Sequence, residues 1–218
     1  MNTFTQPTRN DSHKGNQRRM SWFVRWLHVY LSMLGLIALL FFSVTGITVN
    51  HPDWFDSGKE TIEEFSGKVP IDWIKLNGST ADSDYLAGVE KLSVVEQFRK
   101  EHGIRGSVSE FSGDDYEIYV GFNGPAYTAF ATINRETGDY LLTESTLGIV
   151  ALVNDLHKGR DTGKAWSWVI DISALIMIIA SLSGLYLLFG LNRRKSSGIK
   201  AALTGGALIL LVYFLFVP

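Results

Sequence analysis

Residues 26–49, WLHVYLSMLGLIALLFFSVTGITV, decide the fold: they contain no Asp, Glu, Lys or Arg. About 20 mostly apolar residues suffice to cross a bilayer as a helix, and this run is longer. It is too long for the apolar region of a signal peptide, and no small-residue cleavage site follows, so it reads as a retained span. Two further runs have the same character: 166–191, WSWVIDISALIMIIASLSGLYLLFGL, and 199–217, IKAALTGGALILLVYFLFV. The third carries Lys200 at its start, where a long aliphatic stem lets the ammonium reach the interface.

Charge orders these segments. The chain has a net charge of −2 over 218 residues, but that small sum hides segregation. Residues 1–25 carry five basic residues and one acid, and 192–200 carry four basic residues and none. Residues 51–165 carry eleven basic and twenty acidic residues. By the positive-inside rule the two basic segments are cytoplasmic. The acidic block 51–165 is then extracytoplasmic, periplasmic in a bacterium with an outer membrane, and the chain is a multi-pass protein of the inner membrane. Trp22 and Trp26 at one end of the first span, with Trp54, Trp166 and Trp168 at the other membrane face, form the expected aromatic belts. No basic run is interleaved with aromatics, so no nucleic-acid surface is expected. With no cysteine, disulfides, thiolate metal sites and covalent c-type haem are excluded.

The expected organisation is a disordered cytoplasmic tail (1–20), span one (21–50), an extracytoplasmic α+β domain (51–146), an interfacial amphipathic helix with its linker (147–164), span two (165–191), a basic cytoplasmic loop (192–198) and span three (199–217). Within the outer block, SVVEQFRKEHG (93–103) predicts a short helix. Val94, Val95 and Phe98 form its apolar face, Ser93 its N-cap, and Gly103 its end. Four strand-like runs follow, RGSVSEF, YEIYVGF, YTAFATINR and DYLLTES, separated by the turn sequences SGDD, NGP and ETG. Residues 57–90 show only turn signals and short apolar stretches. GIVALVNDLHKG (148–159) predicts the amphipathic helix, its apolar face on the membrane surface or on span one.

Several side chains are candidates for chemistry. His51 ends span one and His157 precedes span two, so the topology puts both at the outer face. A pair of imidazoles at one depth suits the two axial positions of a b-type haem. The competing readings are an interfacial residue before a proline stop for His51, and a histidine at a helix C-terminus, where it favours the dipole, for His157. His28 lies 23 residues before His51 in the same helix. At ~1.5 Å per residue the two are roughly 35 Å apart and cannot share one haem. His28 is thus either a ligand of a second haem, for instance across a homodimer, or a hydrogen-bonding partner of a neighbouring helix. Arg160, beside His157, could meet haem propionates or an anionic iron chelate through its forked guanidinium, or simply face water. Asp171, about five residues inside span two, is costly in lipid unless paired or protonated. Ser32, Gly35, Ser43 and Gly46 in span one and Ala180 and Gly184 in span two permit close helix approach.

Four local patterns occur in order: Arg25-x-x-His28, the span-ending Asn50-His51, Leu156-His157-x-Gly159-Arg160, and Trp166-x-Trp168-x-x-Asp171. Together with the helix-plus-four-strand insert, they resemble the PepSY-associated transmembrane proteins over about residues 21–192. Some members of that family resemble inner-membrane haem-containing reductases of ferric siderophores, and larger members have four or more spans. The resemblance implies haem b, an Fe(III) chelate as substrate, and a role in iron acquisition. The alternative is a non-enzymatic, membrane-anchored PepSY module that binds or regulates a partner protein, such as a protease or an iron transporter.

Overall fold

A computed structural model describes residues 9–55, 60–75, 85–190 and 194–218, with side chains from residue 19 onward. The chain divides into two compact units, residues 1–40 with 171–218, and residues 41–170.

Three helices are long and apolar enough to cross a membrane: the Arg19–Asn50 part of α1, then α4 (Gly163–Phe189) and α5 (Lys195–Phe216). Helix α1 begins at Arg9, so residues 9–20, expected to be disordered, are helical; residues 1–8 lie outside the described residues. The reason is cooperative. Adding residues to an existing helix is far easier than nucleating one, and no proline lies between Pro7 and Pro52 to stop it. Helix α5 likewise starts inside the expected basic loop, at Lys195.

The sheet domain belongs to the second unit. Five antiparallel strands lie in the order β1-β5-β4-β3-β2: β1 (Glu60–Lys68), β2 (Ser107–Gly113), β3 (Glu117–Gly124), β4 (Tyr127–Asn134) and β5 (Asp139–Leu147). The four expected strands are all present. The fifth, β1, falls in the stretch with no strand signal. Its sequence ETIEEFSGK is too charged to read as a half-buried strand, yet it pairs with β5 along its whole length. Charge on such an edge discourages pairing with other chains. A bulge between Val108 and Glu110 does the same for the opposite edge, β2.

The core follows from alternation. Ile118, Val120 and Phe122 on β3, Ala129, Ala131 and Ile133 on β4, and Tyr140 and Leu142 on β5 are buried on one face. Helix α2 (Lys91–His102) covers that face with Val94, Val95 and Phe98, the predicted three. The ring of Phe98 meets Phe122 at 6.4 Å and Tyr140 at 4.9 Å, both edge-on. Fully burying such a side chain contributes roughly 1.5–3 kcal/mol. The start of α2 corrects the sequence reading: Glu90, not Ser93, stands at the N-cap, and the Ser93 hydroxyl donates back to the Glu90 carboxylate at 2.9 Å. Its end is as expected, with Gly103 left-handed at φ 69°. Gly138, at φ 73°, turns β4 into β5, and a Cβ there would strike the Val69 carbonyl.

Helix α3 (Ile149–Lys158) follows β5. It meets residues 42–48 of α1 through Asn154 and His157.

Candidate functional site

Two histidines, His28 in the first unit and His157 in the second, are held through Nδ1 by a hydroxyl from another helix. In the first, the His28 Nδ1 lies 3.0 Å from the Ala180 carbonyl oxygen and 2.9 Å from Ser183 Oγ. The carbonyl can only accept, and the Ser183 hydroxyl already donates to it at 2.8 Å. The shared hydrogen is therefore the imidazole's own, on Nδ1. In the neutral ring Nε2 then keeps its lone pair. Ser183 is 7% exposed. Gly184 lies against the ring, and a Cβ there would stand 3.0 Å from His28 Cε1. The Ala180–Gly184 pair, expected to let helices approach, thus opens the seat for an imidazole.

In the second unit the same logic applies to His157. Thr45 Oγ1 donates to the Phe41 carbonyl at 2.7 Å and lies 2.6 Å from His157 Nδ1. With the hydroxyl hydrogen committed to the carbonyl, Nδ1–H donates to Thr45, and Nε2 again keeps its lone pair. Phe42 presents its ring edge-on at 5.4 Å, and Gly46 leaves the space beside Cε1. One turn on, the Thr48 hydroxyl lies 2.6 Å from Asn154 Oδ1. Asp155 Oδ2 accepts from the Ala126 backbone N–H at 2.9 Å, tying α3 to the β3–β4 turn. Trp166 Nε1 donates to the Leu156 carbonyl at 2.8 Å.

His51 has different surroundings. Its ring stacks on Trp54 with centroids 3.8 Å apart and planes within 6°. Its Nε2 lies 3.0 Å from Asn50 Nδ2, so it accepts from that amide. No hydrogen bond or ring contact joins His51 to His157: one ring meets residues 50 and 54, the other residues 42, 45 and 46. Arg160 stands 3.9 Å from Asp155 Oδ1 with its side chain 63% exposed. Asp171 is exposed on α4, and no hydrogen bond or ion pair involves it among the described residues. His102 lies 2.6 Å from the Tyr140 hydroxyl through Nε2 and stacks on Phe65. Among the described residues no cluster of three or more His, Cys, Asp or Glu could hold a bare metal ion.

An axial haem ligand needs a neutral imidazole with one nitrogen open and the other held by an acceptor. His28 and His157 meet both conditions. His51 meets neither: its Nε2 lone pair accepts from Asn50, and in the neutral ring the hydrogen is then on Nδ1, which has nothing to offer a metal. The anchoring residues Thr45 and Ser183 are absent from the sequence reading. A faint signal for one of them exists, the Thr45-x-x-Thr48 pair of hydroxyls near the end of an otherwise apolar span.

The model of one protein family, the PepSY_TM-like family, matches residues 21–218, so the chain belongs to that family. No curated protein and no solved structure matches the chain.

Proposed function

From a PepSY_TM-like chain with one anchored imidazole on a membrane helix, His28, and another on α3, His157, we propose a haem-binding electron-transfer protein of the bacterial inner membrane. The observation that carries the reading is the shared anchoring of His157 and His28: each ring is oriented through Nδ1, by Thr45 and by Ser183 with Ala180, and each offers Nε2. His157 would hold a b-type haem near the outer face, together with His51 once its Nε2 is released from Asn50. His28 serves a separate site toward the cytoplasmic end. Arg160 would meet the propionates or an anionic chelate.

The haem would supply a one-electron Fe(III)/Fe(II) change. The chain's own residues fix the ring tautomers, exclude water with Phe42, and set which nitrogen faces the iron. The reaction class is reduction of an Fe(III) chelate such as a ferric siderophore at the periplasmic face, one electron per iron, supplied by a quinol or a cytoplasmic donor. Charge segregation supports this orientation, with residues 51–165 outside and the basic segments inside.

A second reading has its own support. Neither edge strand, β1 or β2, has a second strand neighbour among the described residues, and the charge on β1 and the bulge in β2 would restrict either edge to a partner strand of complementary charge and register. In this reading the chain is a membrane-anchored module that binds a protease or transporter without redox chemistry.

Absorption spectroscopy of the full chain, purified in detergent from haem-supplied cells, separates the two. Haem binding gives a Soret band that shifts on dithionite and is lost in His157→Ala. A colourless protein that haemin cannot reconstitute refutes it. A partner that co-purifies equally well with the parent and with His157→Ala supports the second reading.

A further inference from the structure

A cleft of about 540 Å³ that this reading leaves unused lies in the second unit, at the end of the sheet domain where α3 and the start of α4 meet the β3–β4 turn. That volume lies within the range of small-molecule sites. Its lining combines the apolar residues Leu147, Ile149 and Leu152 with two charged groups, Arg105 and Asp161.

Neither charge is satisfied by the protein. The Arg105 guanidinium lies over the Tyr127 ring, 5.2 Å from its centroid, and no carboxylate pairs with it among the described residues. Its backbone N–H donates to the Tyr127 hydroxyl at 3.2 Å, so the residue is fixed at both ends of that ring. A guanidinium held on an aromatic face keeps its forked donors for a phosphate. Asp161 makes no ion pair or hydrogen bond among the described residues, and it sits at φ 54°, a backbone region uncommon for a residue with a side chain. Thr162, beside it, keeps its hydroxyl oxygen out of solvent without a protein partner. Buried polar groups normally have one.

The apolar part is equally open. Ile149 is 70% exposed and Leu147 37%. Thr162 and Gly163 close the rim, and Gly163 is the first residue of the membrane helix α4. The cleft therefore stands where the chain enters the bilayer. Its floor is preformed: Asp155 holds the Ala126 N–H, and the Leu147 N–H donates to the Ala126 carbonyl at 2.9 Å.

A cation, an anion and an apolar wall at the membrane entry match one ligand chemistry. We propose that the cleft binds an aminophospholipid of the adjoining leaflet, with the phosphate on Arg105, the ammonium on Asp161 and an acyl chain along Leu147, Ile149 and Leu152. This site is independent of the histidines and of haem.

The test is native mass spectrometry of the delipidated full chain in detergent, mixed with equal amounts of phosphatidylethanolamine and phosphatidylglycerol of identical chains. The parent retains phosphatidylethanolamine in preference. Arg105→Gln lowers that adduct about tenfold, the loss of one charge-assisted hydrogen-bonded contact. Asp161→Asn, which the left-handed backbone tolerates, removes the preference while keeping total lipid, and Ile149→Ser weakens both lipids. Arg105 and Ile149 are exposed, so folding is not at stake. Equal retention of the two lipids by the parent, or unchanged retention in both Arg105→Gln and Ile149→Ser, overturns the proposal. So does an adduct with glycerophosphoethanolamine and none with the lipid, which makes the site one for a soluble phosphoester.

Discussion

Replacing Thr45 by Val tests the anchoring of His157 most directly. The two side chains have nearly the same shape, so packing against α3 is kept and only the hydroxyl is lost. Thr45 is 5% exposed, and its oxygen is the acceptor 2.6 Å from His157 Nδ1. The Phe41 carbonyl, which receives the hydroxyl hydrogen, sits in the helical ladder and loses little. The Nδ1–H, by contrast, is left without a partner in a part-buried place, which costs about 1–3 kcal/mol. The melting temperature of the purified chain in detergent should fall by several degrees. Haemin affinity, measured by Soret titration, should fall about 10–100-fold, the usual effect of removing the group that orients a metal-bound histidine. Thr45→Ser, which restores the hydroxyl, should recover most of both. If Thr45→Val melts and binds haemin like the parent while His157→Ala does not bind, the hydroxyl does not orient the ring and the reasoning fails.

Three further expectations concern the sheet domain. Gly67→Ala places a Cβ 2.5 Å from the Tyr140 hydroxyl oxygen and 2.7 Å from Cζ, so thermal or denaturant unfolding should show a loss of about 1–3 kcal/mol from overpacking. Arg135 is 8% exposed and donates to the carbonyls of Ile74 and Tyr85; Arg135→Met orphans the buried Ile74 carbonyl at a cost of about 1–3 kcal/mol, visible as faster proteolysis between residues 74 and 90. The backbone N–H groups of Tyr116 and Glu117 hold the Asp114 carboxyl below its ordinary range, and the Thr137 hydroxyl with Lys68 does the same for Asp139. A depressed folded-state value means these groups stabilise the fold above the usual carboxylate range, and the contribution is lost as pH falls through it. Acid titration followed by circular dichroism should therefore show a shallower decline in an Asp114→Ala, Asp139→Ala double variant. An unchanged slope would remove these carboxylates from the account.

Much of this architecture is readable along the chain because its signals are local. An apolar run without charge reports a span whatever surrounds it, and the alternation in YEIYVGF and YTAFATINR reports which residues face the core. Val94, Val95 and Phe98 lie three and four apart and face inward as that spacing requires. Strand β1 escapes such reading. Its charged residues suit an exposed edge, and only the nine-residue register with β5 makes it a strand. The N-cap of α2 escapes too, since Ser93 satisfies the local pattern but its hydroxyl is taken by Glu90.

The candidate histidines divide along the same line. Sequence alone places His28 inside the first apolar run, His51 just after it and His157 shortly before the second, because the limits of such runs are properties of consecutive residues. Tertiary structure decided their surroundings. Thr45 and His157 are 112 positions apart, and His28 and Ser183 are 155 apart. Which ring nitrogen keeps the hydrogen depends on an acceptor brought up by a different helix, and no local pattern encodes that meeting. His51 differs, since its partners Asn50 and Trp54 are its own sequence neighbours.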